Sequence, residues 1–183
     1  MKLSILAGAL LLIAHTATAG AADAASPYVG QQDRAIKALS DADIRDLQDG
    51  RGLGLAKAAE LNSYPGPLHV LQLKDALGLS DQQRAATEAV FATMQTRAQA
   101  LGARIIEAER GLDRAFIGGT IDRTTLRTAV AGLAALQGEL RAVHLEAHLA
   151  QRSLLTADQV ARYDALRGYA AAAPAPAHQH SHP

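Results

Sequence analysis

Cysteine is absent from the 183 residues. No disulfide, thiolate metal ligand or cysteine nucleophile is therefore open to this chain, and its fold must hold by packing alone. Aromatic residues make up 3% and tryptophan is missing, which removes base-stacking platforms and aromatic ligand cages. Neither sign of charge dominates, since 18 basic residues balance 18 acidic ones. Such a chain lacks the basic field on which nucleic-acid binding depends. No apolar run reaches the roughly 20 residues of a membrane span. Ala and Leu dominate what remains, with few β-branched runs. That composition predicts an all-α protein, and the length fits one ordinary domain.

The ends of the chain carry their own signals. Lys2 gives a short basic start, residues 3–13 an apolar run, and Ala17, Thr18 and Ala19 the small residues a signal peptidase reads. This is the three-part pattern of a secretory signal peptide, residues 1–19. Residues 20–38 read as a flexible lead-in, 39–169 as the folded domain and 170–183 as a disordered Ala/Pro/His-rich tail. After cleavage no membrane span remains.

Within the domain, Ser40 is placed to cap a helix DADIRDLQ, with acids in the first turn where the helix dipole favours them. The glycines of GRGLGLAK have the wrong spacing for a phosphate-binding loop and follow no strand, so they read as a separator between short helices. SYPGP (residues 63–67) breaks the chain. Pro67 suits a first helical turn, and one helix should run from there to a C-cap at Gly78. Ser80 and Gln83 then form a capping box. Beyond it, Phe91, Met94, Ala98, Leu101, Ile105, Ala108, Leu112 and Ala115 make a seam with gaps alternating three and four. After a turn at Gly118 and Gly119, Asp122 can cap a second long helix with a like seam: Ala129, Leu133, Leu136, Leu140, Val143, Ala147, Ala150 and Leu154. Two seams joined by a short glycine turn predict a long antiparallel helical hairpin with short flanking helices. Gly102 and Gly138 should then face each other. A lone hairpin leaves apolar surface uncovered, which predicts a homodimer.

Thr156 with Gln159 repeats the capping box of Ser80 with Gln83, and Ser40 with Asp43 is a weaker third version. As isolated motifs these only start helices. Together, in an exported, cysteine-free, helical chain, the paired L-[ST]-x-x-Q boxes resemble the Spy/CpxP family, named for its LTxxQ motif. The resemblance covers about residues 39–169. GLAKAAELNSYPGPLHVLQL (residues 54–73) and LLTADQVARYDALRGY (residues 154–169) look most like its periplasmic heavy-metal sensor and resistance members, such as CnrX and ZraP. It implies a periplasmic dimer of helical hairpins. It further implies either binding of a divalent transition metal (Zn, Ni, Co or Cu) linked to metal or envelope stress, or ATP-independent holding of unfolded proteins. Some members restrain an envelope stress-signalling protein. The near-neutral charge departs from the clearest chaperones of the family.

His144 and His148 stand four apart on the second long helix, a spacing that can bring two imidazoles to one cation. They lie one residue off the seam, so a solvated edge or a helix-packing role is the competing reading, and Arg141 and Arg152 nearby oppose a cation. Glu146 points to the far side. A third ligand must come from another helix. Register about the turn sets His148 level with Phe91 and Glu88, and His144 level with Met94 and Gln95. Glu88 is then the acidic candidate, Met94 the soft one, and His69 a further ligand if its helix crosses the hairpin's open end. The metal-sensor relatives likewise build their site from histidines, a carboxylate and a methionine. In the tail, alternating His178, His180 and His182 form a separate, weak metal site. No nucleophile elbow or gathered carboxylate pair is visible, which predicts a protein that is not an enzyme.

Overall fold

The computed structural model describes residues 26–169. The expected signal peptide and the tail histidines His178, His180 and His182 lie outside the described residues. The chain divides into two compact units, Met1–Asp33 and Arg34–Pro183. In the described part of the first, Ser26 Oγ accepts from the Tyr28 N–H at 3.2 Å and Gln31–Asp33 form a single 3-10 turn.

The second unit is helical: α1 (Asp41–Gln48), α2 (Lys57–Glu60), α3 (Pro67–Gln72), α4 (Lys74–Leu77), α5 (Asp81–Ile117), α6 (Arg123–Leu154) and α7 (Ala157–Leu166). The described residues form no strand beyond one isolated bridge between Ile36 and Leu39. No described helix is long and apolar enough to cross a membrane. Ile36, within the stretch expected as a lead-in, is fully buried in the main core. The helix expected from Pro67 to Gly78 breaks at Leu73 into α3 and α4.

The starts of the longer helices follow local chemistry. Ser40, Ser80 and Thr156 each accept a hydrogen bond from the N3 backbone N–H, and the N3 side-chain oxygen accepts one from the backbone N–H of the cap. Asp122 caps α6 through the Thr125 N–H at 2.7 Å. Each such cap contributes about 1 kcal/mol. Gly78 ends α4 in the left-handed region.

α5 and α6 pack along each other. Thr87 meets Gln151, Arg97 meets Glu146 and Arg104 meets Glu139, so partners descend α6 as they climb α5. Met94, Ala98, Leu101 and Ile105 on α5 and Leu133, Leu140, Val143 and Ala147 on α6 form the main core, with Leu47 of α1 beside them. A second, smaller core gathers Val70, Leu77, Leu155, Val160 and Tyr163 from α3, α4, the α6–α7 junction and α7.

Two seam details differ from a strict heptad. Ala150 is exposed and Gln151 is fully buried. An α-helix drifts by about 20° per heptad against a 3.5-residue repeat. Towards its C-terminal end, α6 therefore turns His144 and Gln151 inward. Gly102 does not face Gly138. A Cβ on Gly102 would overlap the backbone carbonyl of Leu47, whereas one on Gly138 would meet open space. The close backbone approach is between α5 and the end of α1.

Candidate functional site

A cavity of about 610 Å³ opens between the glycine loop at residues 49–56, α2, α3, α5 and α6. Its wall includes Glu60 of α2, His69 of α3, Phe91 and Met94 of α5, and His144 and His148 of α6. α2 and α3 both contact α6, so this end of α6 is covered on two sides. His144 is 3% exposed and His148 8%, which rules out the solvated edge. Arg141 and Arg152 are not part of the wall, and Glu146 points away to pair with Arg97 at 2.8 Å.

The two imidazoles are set up differently. His148 Nδ1 lies 2.7 Å from the Tyr64 carbonyl oxygen. A carbonyl only accepts, so Nδ1 is the donor here, and in the neutral ring Nε2 is the nitrogen with a lone pair to offer. Gly66 makes room for this ring, since a Cβ there would sit 3.0 Å from His148 Cε1. His144 Nε2 is buried with no hydrogen-bond partner. Burial, followed by the charge of His148, lowers the pKa of His144 below the usual imidazole value. A neutral imidazole with a free, buried ring nitrogen costs stability unless something binds it.

Glu60 is the carboxylate at this site, and sequence reasoning missed it. Its Oε2 accepts from the Gly66 N–H at 3.1 Å and lies 3.7 Å from His148 Nδ1. Its Oε1 accepts from Tyr163 Oη at 2.5 Å and from Tyr169 Oη at 3.3 Å. His69 Nδ1 stands 3.3 Å and Arg167 Nε 3.5 Å from the same oxygen. Burial pushes the Glu60 carboxyl up, but hydrogen bonds from His69 and Tyr163 and the charges of His69 and His148 outweigh it and bring it to about 2. Burial and the bond to Glu60 raise Tyr163 far above an ordinary phenol, so its hydroxyl keeps its proton.

Glu88 does not join this group. It is exposed and absent from the cavity wall. Its neighbour Thr87 is the inward residue, fully buried and bonded to Gln151 at 3.1 Å. Met94 and His69 line the cavity. Among the described residues, no three His, Asp or Glu side chains stand close enough to hold one ion as placed. The donor set gathered here is two imidazoles of α6, with a thioether and a carboxylate on other walls of the same cavity. Comparison of the chain with family models, curated proteins and solved structures finds no match.

Proposed function

We propose that the protein is a non-enzymatic periplasmic metal-binding protein of the heavy-metal sensor or resistance type, with a divalent transition cation held by His144 and His148. The observation that carries this reading is the state of the two rings. A ligating histidine needs its other nitrogen anchored, and His148 donates Nδ1–H to the Tyr64 carbonyl. A ligating imidazole must also be neutral, and His144 is neutral with a buried, unpartnered Nε2. Met94 and Glu60 supply a soft and a hard donor in the same cavity. Imidazoles with a thioether suit Zn, Ni, Co or Cu rather than Mg or Ca.

In this reading α5 and α6 form an antiparallel hairpin, and two copies pair to cover its exposed apolar residues, Phe116, Ile117 and Val130 among them. Export follows from the leader pattern of residues 1–19, and an intact mass beginning near Gly20 would establish cleavage. Calorimetric titration of the tag-free chain with Zn²⁺, Ni²⁺, Co²⁺ and Cu²⁺ tests the metal site. Stoichiometric binding that survives loss of the tail histidines and vanishes in the His144→Ala, His148→Ala double variant supports it. The exposed Phe116 and Ile117 also favour a second reading, an ATP-independent holdase. Suppression of client aggregation, with no high-affinity cation binding, would select that reading.

A further inference from the structure

Glu60 has two sides. Oε2 faces the cavity, held by the Gly66 N–H with His148 beside it. Oε1 faces the end of α7, where it receives Tyr163 and Tyr169 and stands beside Arg167. Tyr163 is fully buried in the smaller core, and Arg167 Nη2 donates to Tyr169 Oη at 3.2 Å. One carboxylate from the four-residue α2 thus ties the cavity wall to the last described turn of the chain. Removing its charge from Oε1 would leave the Tyr163 hydroxyl and the Arg167 guanidinium without their common anionic partner.

We infer that Glu60 transmits occupancy of the cavity to the C-terminal end of α7: a cation on His144 and His148 draws the carboxylate towards the cavity and loosens residues 163–169. This inference rests on the metal reading above and adds the regulation of that site. The two states differ in a defined way. In the structure, Oε1 serves Tyr163, Arg167 and Tyr169. With a cation present, the carboxylate shares its charge with the cation, and the hold on α7 weakens. Coupling of this kind is reciprocal. Whatever frees Glu60 from α7 must tighten cation binding, and whatever removes its charge must break the connection. A purely structural Tyr163 would do neither.

The test uses the full chain with the tail donors removed (His178→Ala, His180→Ala, His182→Ala), and zinc chloride and nickel chloride as probes. Hydrogen exchange of residues 163–169 is followed with and without cation, and affinity is measured by calorimetry. Exchange at residues 163–169 should speed up on cation binding, and Glu60→Gln should abolish that response while weakening binding. Tyr163→Phe should tighten binding by about five- to tenfold, the lower part of the usual range of coupling. Unchanged or weaker affinity in Tyr163→Phe, or exchange that does not respond to bound cation in the unsubstituted chain, overturns the inference and leaves the metal site standing. Failure of the unsubstituted chain to bind either cation overturns the metal reading itself and the inference with it. The exchange measurement needs no substitution at the site, so a Tyr163→Phe chain that fails to fold does not remove the test.

Discussion

Gln83 and Gln159 exchange amide hydrogen bonds. Gln83 Nε2 donates to Gln159 Oε1 at 2.8 Å, and Gln159 Nε2 donates to Gln83 Oε1 at 3.0 Å. The same two oxygens accept from the cap residues Ser80 N and Thr156 N, at 3.1 and 3.0 Å. Gln83 Nε2 also reaches the Leu154 carbonyl at 2.9 Å. Each glutamine therefore starts its own helix and fastens it to the other start. The two capping boxes are one joint, which sets α7 against the beginning of α5 and the end of α6.

A double-mutant cycle measures this joint. Gln83→Ala and Gln159→Ala should each destabilise the protein, with a coupling energy of about 1 kcal/mol between them, as expected for paired amides that are partly buried. Thr156→Ala should cost about 1 kcal/mol through the lost cap alone, with cation binding unchanged in the folded fraction. Additive denaturation energies for the two glutamines would mean that the boxes act separately.

Gly102 and Gly138, one in each long helix, separate backbone packing from helix propensity. Gly102→Ala forces a methyl into the Leu47 carbonyl. It should destabilise the protein by about 3 kcal/mol or more, or displace α1, as overpacking against rigid backbone does. Gly138→Ala meets only open space and should stabilise by about 0.5–1 kcal/mol through helix propensity. Urea midpoints of the two variants should move in opposite directions.

The helix starts, the two seams and the turn between them were legible because each is written in residues within a few positions of one another. What escaped was set by distant parts of the chain. Glu60 sits in a four-residue helix without periodicity, and its partner Tyr163 is 103 residues away. The choice of Glu88 treated the hairpin as the whole site, whereas α2 and α3 pack over α6 and bring their own carboxylate. The solvated-edge reading of His144 and His148 assumed that a strict heptad holds to the end of α6. The drift of a straight helix, visible in the exposure of Ala150 and the burial of Gln151, turns that stripe inward instead.

His144 should make stability depend on pH near neutrality. Its folded-state pKa lies below the ordinary imidazole value because the ring is buried. Below about pH 6.5 the unfolded chain binds a proton at this residue that the folded chain resists. The unfolded state then binds more protons, so this contribution is present above the unfolded pKa and is lost as pH falls through the folded one. The melting temperature should drop between pH 7.5 and 5.5, and the drop should shrink in His144→Gln, which keeps a similar volume without titrating. An equal drop in both proteins would assign the acid sensitivity elsewhere. Glu60 acts over a separate window: its carboxyl is held at about 2 against an ordinary 4.5, so its contribution is complete above pH 4.5 and fades only below it.

Cation binding should discriminate between the two carboxylates. Both imidazoles must be neutral to ligate, so affinity for Zn²⁺ or Ni²⁺ should fall as pH drops through about 6.5. The lowered pKa of His144 keeps that ring ready at neutral pH. Removing either His144 or His148 should weaken binding by a large factor, because two donors on one helix act as a chelate. Met94→Leu, which keeps volume but loses the sulfur, should weaken Cu or Ni binding more than Zn, in line with ligand softness. Glu88→Gln should leave binding unchanged, since that carboxylate is exposed and away from the cavity. Glu60→Gln should weaken binding and also cost about 2 kcal/mol of stability, because its buried donors lose an anionic acceptor. The two effects are separated by measuring affinity where each variant is fully folded. If Glu88→Gln weakened binding and Glu60→Gln did not, the cation would lie on the opposite side of α5 from the cavity.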